Sequence, residues 1–194
     1  CGEHYKPLTT EKKKGHSNEL RVEKWKWFSL KEISNVYTGD DLILSMVDDG
    51  EIPVASHKVE NNGVGAMVDK IDNRQLFDCE KTIALADRGC FHASVQTEDF
   101  YIGTRVKALE MKCCVSKGVL IFIATIVNQE TFKYSYGRNC TAGVENVRIK
   151  LPVKHNDDGI IFIDDEHTYS DEGYVPDWQF MEDYIKSLPY GDRL

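Results

Sequence analysis

The chain has 194 residues, of which 41% are hydrophobic, so it can bury the core of one domain, or of one domain with an appendage. No apolar run approaches the roughly 20 residues that a membrane-spanning helix requires. No leader with a charged start, an apolar stretch and a cleavage site opens the sequence. We therefore expect a soluble, cytoplasmic protein whose cysteines are reduced.

The charge of the chain is unevenly distributed. A formal net charge of −8 argues at first sight against nucleic-acid binding. However, residues 156–194 contain 11 acidic and two basic residues, whereas residues 1–155 contain 21 acidic and 22 basic residues. The acidity is thus a property of the C-terminal segment, and the rest of the chain can gather basic groups on one face.

The first third of the chain predicts a leader followed by short elements. The polar start predicts a flexible leader over residues 1–24. Aromatic residues from Trp25 onward suit a strand, and Ser29 with Glu32 three residues later matches a capping box for a short helix. A second short helix is predicted at residues 42–47.

Most of the following segments predict strands. They are short runs rich in β-branched residues and bounded by turn residues. They cover residues 51–58, 64–68, 82–86, 93–96, 105–109 and 147–153. The dipeptide Asn62-Gly63, which lies between the first two runs, is typical of a tight hairpin.

The most apolar stretch, residues 118–127, has two interpretations. Its β-branched content favours a strand. Its length, and the helical spacing of Leu120, Ile123 and Val127, favour a buried helix. Local signals do not decide between them.

The acidic C-terminal segment contains two predicted elements. Residues 160–163 suit a short strand, and residues 176–188 suit a helix that starts at a proline and ends before another. One face of this helix is apolar. Its residues are Trp178, Met181, Ile185 and Leu188.

Enzyme motifs are missing from the sequence. Its five prolines are never adjacent, so the Asp/Asn-Pro-Pro-aromatic motif of adenine methyltransferases is absent. No glycine-rich phosphate loop and no Gly-x-Ser-x-Gly elbow occurs. Asp99, Glu110 and Lys112 match the outline of a magnesium-dependent nuclease. That pattern is undemanding, so we keep a nuclease only as an alternative. We expect a non-catalytic chain with no cofactor and no metal site.

Three loops mix cations with amide, hydroxyl or aromatic side chains and a glycine. We call them the first loop (residues 56–63), the second loop (87–94) and the third loop (133–139). Arginine and lysine can pair with guanine, asparagine with adenine, and hydroxyl groups with phosphates, so the mixture suits the reading of DNA. The predicted DNA-binding residues are Ser56, His57, Lys58, Asn61, Asn62, Arg88, Ser94, Lys133, Tyr134, Ser135, Tyr136, Arg138 and Asn139.

Several motifs, in order, resemble a known family. They are Trp27-Phe28-Ser29-Leu30-Lys31-Glu32-Ile33, Ile52-Pro53-Val54-Ala55-Ser56, Phe132-Lys133-Tyr134-Ser135-Tyr136-Gly137-Arg138 and Ile149-Lys150-Leu151-Pro152-Val153, followed by the segment that starts at Pro176-Asp177-Trp178. Over roughly residues 25–190 the chain resembles the target-recognition domain of type I restriction specificity subunits, and of related systems that fuse or couple cleavage and methylation. It departs from them at residues 86–91, where relatives often have a smaller, more polar glycine loop.

The resemblance implies an α+β fold with a curved mixed β-sheet, flanking helices and a C-terminal helix. It makes residues 118–127 a helix and residues 25–155 a DNA target-recognition domain. Residues 156–194 would be an acidic segment whose helix at 176–188 is a spacer or a docking element, with Trp178, Met181, Ile185 and Leu188 facing the partner.

The implied function is recognition of double-stranded DNA for an N6-adenine methyltransferase, with or without a restriction subunit. Candidate base readers are Lys58, Asn61, Arg88, Tyr136, Arg138 and Asn139. A protein-interaction module that docks on a methyltransferase or another partner is the main alternative.

Overall fold

The computed structural model describes residues 20–134, 138–140 and 143–193, and it combines short strands with helices. The strands are β1 (Lys26–Ser29), β2 (Ser34–Thr38), β3 (Asp49–Ala55), β4 (Val64–Val68), β5 (Thr82–Ala86), β6 (His92–Val95), β7 (Tyr101–Ile102), β8 (Val106–Met111) and β9 (Arg148–Leu151). The α-helices are α1 (Leu30–Ile33), α2 (Lys117–Asn128) and α3 (Trp178–Ser187). This confirms the predicted α+β class. None of the described helices is long and apolar enough to cross a membrane.

Within the described residues, the strands form three sheets with both kinds of pairing. An antiparallel sheet has the order β2-β8-β5-β6, and a smaller sheet has the order β4-β3-β7. In the smaller sheet β3 pairs antiparallel with β4 and parallel with β7. β1 and β9 form a separate antiparallel pair. The predicted mixed pairing is confirmed, although it is divided among three sheets.

The main core lies between α2, the larger sheet and the β1–β9 pair. Its fully buried side chains include Phe28, Ile83, Leu120 and Ile149. Every residue of β5 is buried, because β8 and β6 flank this strand and α2 packs near it. This burial explains why residues 83–86 form a continuous apolar run and do not alternate with polar residues.

Helix α2 settles the two interpretations of residues 118–127. The side chains of Leu120, Ile123 and Val127 are all buried, as expected for one face of a helix. The Ser116 hydroxyl accepts the N–H of Val119 and caps the first turn. Packing of a long apolar face therefore outweighs the β-propensity of the segment.

Local signals at the start of the chain are confirmed. β1 passes directly into α1, and the Glu32 carboxylate accepts both the backbone N–H and the hydroxyl of Ser29, at 2.5 and 2.7 Å. The predicted helix at residues 42–47 is reduced to a 3-10 turn, Leu44–Met46. Of the predicted leader, residues 1–19 lie outside the described residues, and Val22–Lys24 forms another 3-10 turn.

The prediction of a strand at residues 160–163 is wrong. This stretch forms isolated bridges, His155 with Ile161 and Ile163 with Tyr174. Ile160 is 64% exposed. A short apolar run needs a buried face to become a strand, and here only part of the run has one.

Helix α3 belongs to the main core. Met181 is fully buried, Ile185 is buried, and the Ile185 side chain comes within 3.7 Å of a β-carbon placed on Gly118 of α2. The Phe122 and Tyr184 rings also meet edge to face, with centroids 5.8 Å apart. The acidic segment is therefore joined to the rest of the chain through α2.

We expect Met181→Ala to lower the free energy of unfolding by about 2–5 kcal/mol, because it removes a fully buried side chain from the core. Asp183→Ala, on the exposed side of the same helix, should change it by less than about 0.5 kcal/mol. Urea unfolding followed by circular dichroism measures both. A loss of stability in Met181→Ala as small as that in Asp183→Ala would show that α3 does not contribute to the core.

Candidate nucleic-acid interface

The three predicted loops lie side by side in the structure. The Cys90 thiol in the second loop donates to the His57 carbonyl oxygen in the first loop, at 3.2 Å. The Gly89 N–H donates to the Asn139 side-chain oxygen in the third loop, also at 3.2 Å. Loops that are far apart in sequence thus form one continuous surface.

The first loop has an unusual backbone at its tip. Asn61, Asn62 and Gly63 have φ angles of 51°, 52° and 79°, so three consecutive residues are left-handed. Asparagine tolerates this conformation better than other side chains, and glycine adopts it freely. The Ser56 N–H and hydroxyl both donate to the Gly63 carbonyl oxygen, at 2.8 and 3.0 Å, and close the loop.

The first loop is fastened to the end of β6. The Asn62 side chain donates to the Val95 carbonyl oxygen at 2.8 Å, and the Gln96 side chain donates to the Asn62 carbonyl oxygen at 3.0 Å. Asn62 therefore holds the first loop against the end of β6. His57, Lys58 and Asn61 are exposed on the same loop.

The second loop starts from a buried ion pair. The Lys107 ammonium lies 3.5 Å from a carboxylate oxygen of Asp87, and it donates to the Thr38 hydroxyl at 2.9 Å. The Asp87 carbonyl oxygen accepts the N–H of Cys140, which follows the third loop. Arg88, the next residue, is exposed. The second loop is therefore anchored at its start by the Asp87–Lys107 ion pair and exposes the Arg88 cation.

The structure places Ser94 in the interior. It is only 6% exposed, and its hydroxyl accepts from the Gln96 side chain at 2.9 Å. Through the Gln96 amide, which also donates to the Asn62 carbonyl oxygen, Ser94 is connected to the first loop. The prediction that Ser94 contacts DNA does not fit this position, because the residue lies within strand β6.

The third loop is fixed by an aromatic pair. The rings of Phe91 and Tyr134 lie 4.4 Å apart, and the Thr131 hydroxyl donates to the Phe91 carbonyl oxygen at 2.9 Å. The pKa of Tyr134 is raised to about 12, chiefly by burial, and the hydrogen bond between its hydroxyl and Cys140 contributes in the same direction. Tyr134 thus holds the loop down instead of projecting outward.

The remaining predicted residues of the third loop have different positions. Arg138 and Asn139 are exposed. Lys133 is exposed and forms an ion pair with Glu130. Ser135 and Tyr136 lie outside the described residues.

Sequence analysis missed Asn128, which fixes the end of α2 to β6. Its side-chain oxygen accepts the Ala93 N–H at 2.7 Å, and its side-chain nitrogen donates to the Ala93 carbonyl oxygen at 2.9 Å. β6 is an edge strand, so this amide satisfies backbone groups that would otherwise be unpaired. An amide residue at the end of an apolar helix was the only available signal.

The predicted docking residues of α3 are buried to different extents. Met181 and Ile185 face α2 within this chain, so of the predicted docking residues only Leu188, 41% exposed, and the half-buried Trp178 reach the surface. That part of the docking prediction stays a prediction.

The residues of the nuclease alternative bond with separate neighbours. Asp99 accepts the Cys79 N–H, Glu110 pairs with Lys81 at 2.9 Å, and Lys112 donates to a backbone oxygen of α1. Nothing in these contacts favours a shared metal site.

We expect the packing of Tyr134 to be visible in the pH dependence of stability. Its pKa is higher in the folded than in the unfolded chain, so its contribution is present below about pH 10 and is lost as the pH rises toward 12. Tyr134→Phe should therefore reduce the fall in unfolding free energy between about pH 9 and pH 11. Tyr190→Phe, at an exposed position, should keep the wild-type fall. Identical curves for wild type and Tyr134→Phe would contradict this account of the loop.

One curated protein is similar to this chain in sequence. The chain is 25% identical over 138 residues to the specificity subunit S.BcgI of a type II restriction enzyme from Heyndrickxia coagulans, and this covers 70% of the chain and 35% of that protein. It thus spans about a third of the length of this relative.

Solved structures share the fold at low sequence identity. The S subunit of a type I restriction-modification system from M. genitalium matches with a TM-score of 0.54 and 13% identity, covering 86% of this chain and 38% of that one. The HsdS subunit from Thermoanaerobacter tengcongensis matches with a TM-score of 0.52 and 14% identity, and the match covers 71% of this chain and 35% of that one.

The sequence model of one family covers most of the chain. It matches residues 22–163, a range that contains all three loops and the strands that carry them. The chain therefore belongs to the family of type I restriction modification DNA specificity domains.

Proposed function

We propose that this chain recognises a short sequence of double-stranded DNA for a restriction–modification system and catalyses no reaction itself. The observation that carries the proposal is the joining of the three loops into one surface by hydrogen bonds between Cys90 and His57 and between Gly89 and Asn139. A reader of several base pairs needs side chains from more than one loop at the same groove.

The exposed groups on this surface have the chemistry for reading bases. Lys58, Arg88 and Arg138 can donate to guanine, and Asn61 and Asn139 can exchange hydrogen bonds with adenine. Glu60 is an exposed acid on the first loop, while Asp87 is buried with Lys107. An acid among the cations can accept from cytosine or exclude a phosphate, so it adds selectivity.

Contacts that anchor the described parts of the loops support specificity over general affinity. The first loop is closed by Ser56 and Gly63, the second starts at the buried Asp87, and the third rests on the Phe91–Tyr134 pair. Loops fixed before binding lose little conformational entropy on binding, and they present donors at fixed positions.

The methylation and cleavage steps would belong to other chains or domains. We propose an adenine-specific DNA methyltransferase as the main partner, which would flip the target adenine out of the duplex, and a restriction subunit as a second partner. The curated relative is the specificity subunit of a restriction enzyme, and a structural match with 16% identity comes from a study of assembly in a type I system. These partners act on DNA in the cytoplasm, where we place this chain.

The direct test is a selection of duplexes from a random pool by the purified chain, with and without its methyltransferase. We expect a defined sequence to be enriched. Arg138→Ala should weaken binding to that sequence by about 10- to 100-fold and relax the preference at one position, as expected for the loss of a paired contact with a base. Lys186→Ala on α3 removes a cation outside the loops and should leave the preference unchanged.

Two results would contradict the proposal. One is the absence of any enriched sequence for the chain with its partner. The other is binding to the partner protein alone, insensitive to salt and without DNA, which would make the chain a protein-interaction module. Sequence-specific DNA affinity should instead fall steeply with salt.

A further inference from the structure

The outer face of the β1–β9 pair carries an exposed tryptophan between two cations. Trp27 pairs with Lys150 in register and is 42% exposed. The Lys150 ammonium lies 5.4 Å from the centroid of the indole ring, and the Arg148 guanidinium carbon lies 5.7 Å from it. We call Trp27, Arg148 and Lys150 the tryptophan platform.

The platform exists because side chains alternate across this pair of strands. Phe28 and Ile149 point to the core and are fully buried, so their neighbours Trp27, Arg148 and Lys150 face outward. An aromatic ring attracts a cation without neutralising it. The ring therefore holds two cations in place while their N–H groups stay free to donate to an anion.

A groove connects the platform with the third loop. It has a volume of about 280 Å³, and its lining comes from the platform, the third loop and the segments before each of them: Trp27, Glu130, Lys133, Tyr134, Asn146, Val147 and Arg148. The platform and the three loops are thus parts of one continuous surface.

The groove is bordered mainly by positive charge. Lys31 donates to the Asn146 side-chain oxygen at 3.0 Å, which adds a cation beside the lining residues Lys133 and Arg148. Of the acids nearby, Glu130 is paired with Lys133, and Glu145 accepts from Asn146 at 3.3 Å. An anionic ligand suits this balance better than a neutral or cationic one.

We infer that the tryptophan platform and its groove bind the sugar–phosphate backbone of duplex DNA outside the base pairs that the three loops read. This inference rests on the proposed function. Three features favour a DNA backbone: an open face that presents cations, a tryptophan that can pack on a sugar, and continuity with the loops at Lys133 and Tyr134. The platform would add affinity and fix the orientation of the domain, while the loops supply the sequence preference.

The test uses Arg148→Ala with Lys150→Ala in the chain, and a selected duplex next to a scrambled one of equal length. We expect the double variant to bind both duplexes about tenfold more weakly than wild type does. The ratio of the affinities for the selected and the scrambled duplex should stay unchanged. The slope of log affinity against log salt should fall by about 2, since each lost phosphate contact removes about 0.9. The matched control is Lys117→Ala with Lys186→Ala. It removes two cations near the first turn of α2, about 18 Å along the helix from the Asn128 end, where the loops gather. This control should change neither the affinity nor the salt slope.

A second comparison uses duplex length. Wild type should bind a duplex that extends beyond the selected sequence more tightly than one that ends there, and the double variant should lose most of that gain. The inference is overturned if the double variant keeps the wild-type affinity and salt slope, or if it loses only the sequence preference. If wild type binds no duplex at all, the proposed function fails, and this inference with it. If wild type selects a sequence but the double variant keeps the wild-type affinity and salt slope, this inference fails and the proposed function stands.

Discussion

The side chain of Asn128 exchanges two hydrogen bonds with the backbone of Ala93, at 2.7 and 2.9 Å, and so ties the last turn of α2 to the edge strand β6. Much of the candidate interface depends on this contact. The second loop runs into β6, and the third loop follows a 3-10 turn, Gln129–Lys133, that continues from α2. A fixed distance between the helix end and the strand therefore fixes the bases of both loops. The buried core beneath α2 provides the stiffness on which this contact relies.

The chain is acidic overall, but its acids are concentrated after residue 155, so the three loops can still present cations to a ligand. The acidic segment after residue 155 leads into α3, which packs on α2 at Gly118 and Phe122, in the first half of that helix. The loops gather around the other end, near Asn128. Surface charges are screened beyond roughly 8 Å at physiological salt, so acids at one end of a helix do little to repel a phosphate at the other.

Much of the fold could be predicted from local sequence. β4 and β5 begin and end at the predicted residues, and the Ser29–Glu32 capping box forms as expected. Residues 118–127 could not be assigned locally, because helix and strand patterns coincide in a short apolar run, and only packing decides between them. The run at residues 160–163 misled the prediction for another reason, since composition does not show that Ile160 and Ile163 are exposed.

The site was less predictable than the fold. Composition identified the three loops, and hydrogen bonds between residues some 30 to 50 positions apart bring them together. Composition could not show that Ser94 is buried within β6 or that Tyr134 is half-buried against Phe91, since both depend on tertiary packing. Nor could it show that the apolar face of α3 is covered by α2, because an amphipathic helix does not specify its own partner.

The central claim is that three separate loops act as one DNA-binding surface. Hydrogen exchange measured by mass spectrometry, with and without a selected duplex, tests it most directly. The account predicts slower exchange in the first, second and third loops together, with α3 unchanged. Protection confined to α3, or to a single loop, would contradict it.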